Sequence, residues 1–159
     1  MAESATLGDI KFYYDFPAPA DVKVVGTTLF RDPGFETAVL ISLFSDARAS
    51  SDDPLPDNND TRRGWWGSAV TGTEVGSKLW LFDRSNINNA MMAQQAQYIE
   101  QALAWMITDG IASKITATAT RSDTRTTQIN YSVSIQSPTK GTIFFQFFYN
   151  WKSQIFGGI

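Results

Sequence analysis

Residues 88–110 read NNAMMAQQAQYIEQALAWMITDG, and the spacing of their apolar side chains decides the fold class. Met92, Ala96, Ile99, Leu103 and Met106 recur at alternating steps of four and three, with Ala102 and Ile107 widening the stripe. That is the period of one face of an α-helix. Gln94, Gln95, Glu100 and Gln101 fall on the other faces. Asn88 or Asn89 offers a side-chain acceptor to the first free amides, and Gly110 stands where a left-handed residue closes a helix. The pattern predicts a single helix from about Asn89 to Asp109.

Beyond Gly110 the period becomes two. Ile115, Ala117 and Ala119 alternate with Thr116, Thr118 and Thr120; Ile129, Tyr131, Val133 and Ile135 alternate with Asn130, Ser132 and Ser134. After a turn at Ser137-Pro138-Thr139-Lys140-Gly141, Ile143, Phe145, Phe147, Tyr149 and Trp151 share one face of a last strand. Three strands with short links make an antiparallel meander packed on the helix, so the class is α+β. Phe144 and Phe148 make the last strand, Thr142 to Trp151, apolar on its second face as well. A bare edge of that composition invites aggregation, so the strand is expected to be central or covered by another chain.

Upstream the signals are weaker. Ile10 to Phe16 is aromatic and is broken by Pro17 and Pro19, while Val22 to Val25 suits a short strand. Asp32-Pro33-Gly34 reads as a turn, and Ala38 to Phe44 (AVLISLF) suits a buried strand or a buried helix equally. Residues 1–37 are therefore expected to be irregular, ahead of one α+β domain over 38–159. From Ser50 to Asp60 the chain is polar and proline-punctuated, which excludes a regular element. A loop this long in a compact domain is functional or pinned by a partner.

Composition removes whole classes of chemistry. The 159 residues suffice for one domain, and 43% hydrophobic with 13% aromatic content is enough to fill a core. Cysteine and histidine are both absent, which excludes disulfides, thiol nucleophiles, histidine bases and the usual zinc and iron–sulfur ligands. No cofactor is expected. A net charge of −3 without a basic block disfavours nucleic acid. Apolar runs are too short for a membrane span, and the first residues lack the features of a signal peptide. The glycine-flanked Gly72–Lys78 stretch falls short of a phosphate loop and reads as a turn.

The candidate site lies in and just after the polar loop. Asp52, Asp53, Asp57 and Asp60 precede Arg62, Arg63, Trp65 and Trp66, with Trp80 further on. The acids could bind Ca²⁺, but they lack the spacing of a calcium loop, and Asx-turns with charge pairing explain them as well. Arg62 and Arg63 are expected to pair with carboxylates among Asp52, Asp53, Asp57 and Asp60 and so fold the loop. The tryptophans suit three readings: a loop core under guanidinium groups, a sugar platform together with Trp80, or a protein interface. Phe144 and Phe148 are further interface candidates. No acid is placed as a glycosidase pair requires.

The order of blocks resembles a known family. Asp32-Pro33-Gly34-Phe35-Glu36-Thr37-Ala38-Val39 and Ile41 to Ala49 form the first block, and Asp52 to Asp57 with Asp60-Thr61-Arg62-Arg63-Gly64-Trp65-Trp66-Gly67 the second. Gly76 to Leu81 and Ala102 to Ala112 complete the set. Over residues 32–151 this resembles the Mu-type phage tail protein family, gene product forty-six. It is distantly similar to the T-even gene-twenty-five wedge proteins of contractile tails. The family usually has an acid where this chain has Ser68. The resemblance implies a non-enzymatic baseplate wedge subunit of the virion, assembled in the host cytoplasm, six copies around the tail tube or hub. It implies contacts with larger wedge proteins and with the tail sheath protein, whose first ring it would seat. A tail-associated peptidoglycan hydrolase or a carbohydrate-binding module are the alternatives.

Overall fold

A computed structural model of the chain describes residues 9–10, 12–13, 21–22, 24–25, 28–29, 31–32, 35–56, 60–83, 85, 87–125, 127–150 and 155–158. Pro17, Pro19, the Pro33-Gly34 part of the first turn, Asp57 and Trp151 lie outside the described residues.

The segment expected to be irregular contains three short antiparallel ladders. β1 (Asp9–Ile10) pairs with β6 (Arg31–Asp32), β2 (Phe12–Tyr13) with β3 (Asp21–Val22), and β4 (Val24–Val25) with β5 (Thr28–Leu29). The ambiguous AVLISLF run is helical: α1 spans Glu36–Phe44. The boundary expected at 37/38 therefore falls inside a helix. Val39 and Leu43, four apart, enter the core, and this tertiary burial decides what periodicity could not. Gly76 and the Leu79–Phe82 run follow a short helix α2 (Ser68–Thr71), the run itself forming a 3₁₀ turn that buries Leu79, Trp80 and Leu81.

The long helix starts where the sequence predicts, with Asn88 Oδ1 accepting from the Met91 amide at 2.8 Å. It does not run unbroken to Asp109. α3 covers Asn89–Leu103, and α4, Trp105–Thr108, follows a tightened turn at Ala104, whose amide bonds back three residues to Gln101. Beyond the break Trp105 Nε1 donates to Ser42 Oγ at 3.1 Å and Met106 is fully buried. Both contacts compete with a straight continuation. Gly110, at φ +71°, closes the helix as expected, and the amides of Ile111 and Ala112 both turn back to the Met106 carbonyl.

β7 (Lys114–Arg121), β8 (Gln128–Ser137) and β9 (Gly141–Asn150) form the expected meander. A fourth strand, β10 (Ile155–Gly158), adds to β9 and gives the sheet order β10-β9-β8-β7. The strand expected to be central or covered by another chain is thus central over Phe147 to Asn150, where β10 of the same chain pairs with it. β10 stops there, and no strand among the described residues pairs with the outer side of Gly141 to Gln146.

The inner face of the sheet carries Ile115, Ala117, Ile129, Tyr131, Val133, Ile135, Phe147 and Tyr149, and α1 and α3 cover it. Phe44 meets Phe147 edge-on with centroids 5.5 Å apart, while Tyr131 stacks on Phe147 at 4.9 Å. Ile99, Leu103 and Met106 of the predicted helix stripe are fully buried, whereas in the first turns Met92 and Ala96 are only partly buried and the innermost positions fall one residue earlier. Met91, Gln95, Ile99 and Leu103 are the buried residues, and Ile107 is exposed. Gln95 sits inside because it accepts a hydrogen bond from the Tyr131 hydroxyl at 3.1 Å, a partner that lies outside the helix's own periodicity. Glu100 reaches the sheet as well: its Oε1 accepts from the outward-facing amide of Ala117 at 2.8 Å, on the side of β7 away from β8.

Gln95→Leu strands the buried Tyr131 hydroxyl, whereas combining it with Tyr131→Phe removes both polar groups together. The single change is expected to cost about 1–3 kcal/mol and the double change less than the sum of the two singles. Urea unfolding of all four proteins, with equal m-values, checks this.

Candidate functional site

The polar loop is closed at its neck by main-chain bonds. The Ala49 amide donates to Arg62 O at 2.9 Å, and Arg62 reaches across the neck to the carbonyls of Ser50 and Ser51. Among the described residues, Arg62 thus meets the loop through carbonyl oxygens and not through Asp52, Asp53 or Asp60. Two adjacent carbonyls fit its planar fork, as one carboxylate would. Asp53 is oriented by the Ser50 amide at 2.7 Å and paired with Lys78 Nζ at 2.7 Å. The Lys78 bond, above all, holds the Asp53 carboxyl below its ordinary value. Asp52 and Asp60 are exposed, and Asp57 lies outside the described residues. Among the described residues no three acidic side chains converge as a metal site.

Among the described residues, Arg63 finds its carboxylates outside its own loop. Its guanidinium lies 3.1 Å from Asp46 and 3.5 Å from Asp83, and stacks 4.5 Å above the Trp80 ring. Reaching them requires a reversal of the main chain. Arg63 takes φ +43° and Gly64 takes φ +109°, and only the second residue adopts such angles without strain. Trp80 is fixed in turn by Nε1 donating to Ala47 O at 2.8 Å. It is buried, which removes it from any sugar platform.

The segments on either side are joined by main-chain bonds. The Ala47 amide donates to Ser77 O and the Ser77 amide to Ser45 O, at 2.9 and 2.8 Å, while the Ser77 hydroxyl caps Leu43 O at the end of α1. Gly76 makes this approach possible, since a Cβ there would stand 2.4 Å from Ser45 O. Tyr149 of β9 donates to Asp83 at 3.0 Å, so the cluster also holds the sheet. Burial pushes the Asp83 carboxyl up from its ordinary value, against the lowering effects of Tyr149 and Arg63. A cavity of about 310 Å³ opens here, lined by Phe44, Asp46, Arg63, Trp80, Asp83 and Tyr149. Asp46, Asp83 and Tyr149 were missed by sequence reading. Their signal is tertiary, since Asp83 and Tyr149 are separated by 66 positions.

The tryptophan pair is not a loop core. Trp66 is 78% exposed and Trp65 37%, their rings 5.6 Å apart and tilted by 44°. Phe144 is exposed on the outer face of the sheet, where Phe148 is half-buried. No helix of the described residues is long and apolar enough to cross a membrane.

The sequence profile of a family described as phage protein GP46 matches residues 35–142, which include the whole cluster except Tyr149. A relative named baseplate protein gp46, from Escherichia phage Mu, is 39% identical over 99 residues, 62% of this chain and 68% of the relative. A second, the Mu-like prophage FluMu protein gp46 of Haemophilus influenzae, is 34% identical over 94 residues, 58% of this chain and 62% of the relative.

Two substitutions should respond oppositely to acid. Asp53 has a lowered folded-state value, so its pair with Lys78 contributes fully above about pH 4 and is lost as pH falls through that lower value. Lys78→Met is expected to cost up to about 1 kcal/mol at neutral pH, a deficit that shrinks on acidification. Asp83 has a raised value, so its contribution is fully present in acid and is lost as pH rises through the folded value. The deficit of Asp83→Asn is therefore expected to grow as pH falls through that raised value and to level off below about pH 4. Urea midpoints from pH 3 to 7 check both signs.

Proposed function

Since the chain belongs to the phage protein GP46 family, we propose that it is a structural, non-enzymatic subunit of a phage tail baseplate, located in the virion. The name of the Mu relative supports this reading. In finer terms, it is a wedge subunit of a contractile tail. Six copies surround the tail tube or hub, join larger wedge proteins and seat the first ring of the sheath.

The observation that carries the sheath contact is the half-covered edge of β9. Main-chain groups alternate in direction along an antiparallel strand. Phe148 and Asn150 face β10, so Thr142, Phe144 and Gln146 direct their amides and carbonyls to the same, unpaired side. Three outward donor–acceptor positions are enough to take an extended segment by strand addition. The exposed Phe144 ring would then rest beside the added strand and help set its register.

Proline tests the main chain separately from the ring. Phe144→Pro deletes an outward amide that no strand of the described residues pairs with, and edge positions tolerate proline. Purified Phe144→Pro should keep its far-ultraviolet circular dichroism. Tails complemented with it should show baseplates without sheath in negative-stain images. Phe144→Ala keeps the amide and should retain sheath. Normally sheathed tails from the proline variant would overturn the strand-addition contact.

A further inference from the structure

Arg48, Trp65, Trp66, Ala69, Glu74 and Val75 line a cleft of about 480 Å³ that shares Arg63 with the cavity described above. Trp66 and Val70 are 78% and 80% exposed, far beyond what side chains of their size show in a finished surface. The platform is nevertheless held in place. Gly67 is buried under Trp65, and a Cβ at that glycine would stand 2.2 Å from the Trp65 ring. An exposed aromatic hollow whose Trp65 ring is packed on Gly67 is unfavourable for a free monomer and favourable for binding, because a packed ring has less freedom to lose.

We propose that this cleft receives a short segment of a different tail polypeptide. A large apolar side chain of that segment sits against Trp65 and Trp66, with a carboxylate beside Arg48. The inference rests on the baseplate reading. Charge selects the occupant. Among the described residues, Arg48 makes one hydrogen bond, a long one of 3.5 Å to Arg63 O, which leaves most of its guanidinium fork for a carboxylate. Glu74, also in the lining, disfavours a second acid beside it and favours a neutral or basic neighbour. The occupant is therefore polar in sequence: acid at the Arg48 end, apolar in the middle. A second copy of this chain fits poorly, since two hollows facing each other leave both unfilled. Tryptophan and arginine are also the residue types that dominate interface energetics.

The test uses assembled tails from a host lacking the gene and supplied with variants of the full chain. With Trp66→p-benzoylphenylalanine, illumination is expected to link position 66 to one other tail polypeptide, at a peptide carrying Asp or Glu within a few residues of a large apolar side chain. Arg48→Glu is expected to lower infectious titre by about tenfold or more. Reversing the charge of that acid should restore it. The same photoprobe at Phe144 serves as the control. Links from Phe144 with none from position 66, links from 66 only to another copy of this chain, or an unchanged titre for Arg48→Glu would each overturn the inference while leaving the baseplate reading intact. Absence of the chain from purified tails would overturn the baseplate reading itself.

Discussion

The position of one guanidinium organises the functional half of the molecule. Arg63 stands over Trp80 and between Asp46 and Asp83, and through them touches the end of α1, the 3₁₀ turn and, by way of Tyr149, strand β9. No other cation could replace it with equal effect. Lysine offers a point charge, whereas this site needs a flat donor set that stacks and forks at once. The backbone bears the cost, with a left-handed arginine followed by a left-handed glycine. Strain of this kind persists only where the surroundings over-determine it.

That arrangement holds the described ends of the polar loop, residues 50–56 and 60–63, through several separate contacts. Carbonyls at the neck take Arg62, Lys78 ties Asp53 to the ladder beside Gly76, and Arg63 holds the downstream end. Each contact is modest when half-exposed. Together they close the loop at several points, so no single segment has to bear the whole ordering entropy. The tryptophans that follow are thereby presented outward, away from the buried Trp80.

Local periodicity in the sequence showed the meander, the helix cap at Asn88 and the stop at Gly110 correctly, because those features are fixed by neighbours a few positions away. It misjudged what depends on distant partners. Gln95 is inside because of Tyr131, and Ala104 interrupts the helix where Trp105 reaches Ser42. The arginine partners were sought in the adjacent acidic loop, where charge alone pointed. The fold instead brings Asp46 and Asp83 from either side of that loop. Exposure of Trp65 and Trp66 was equally illegible, since composition does not distinguish a buried indole from a displayed one.

The two borders of the sheet are unequal. On the β7 side, Glu100 occupies the Ala117 amide and Arg121 reaches back to the Ile87 carbonyl, whereas the β9 side is left partly vacant beyond β10. In the language of step-growth polymers, the sheet of the described residues offers a single open end. A unit with two reactive ends would string copies of itself into a fibre. A unit with one end terminates growth, or starts it in a single direction. A carboxylate on the helix thereby bears on a property that no single molecule displays, the length of what the molecules build.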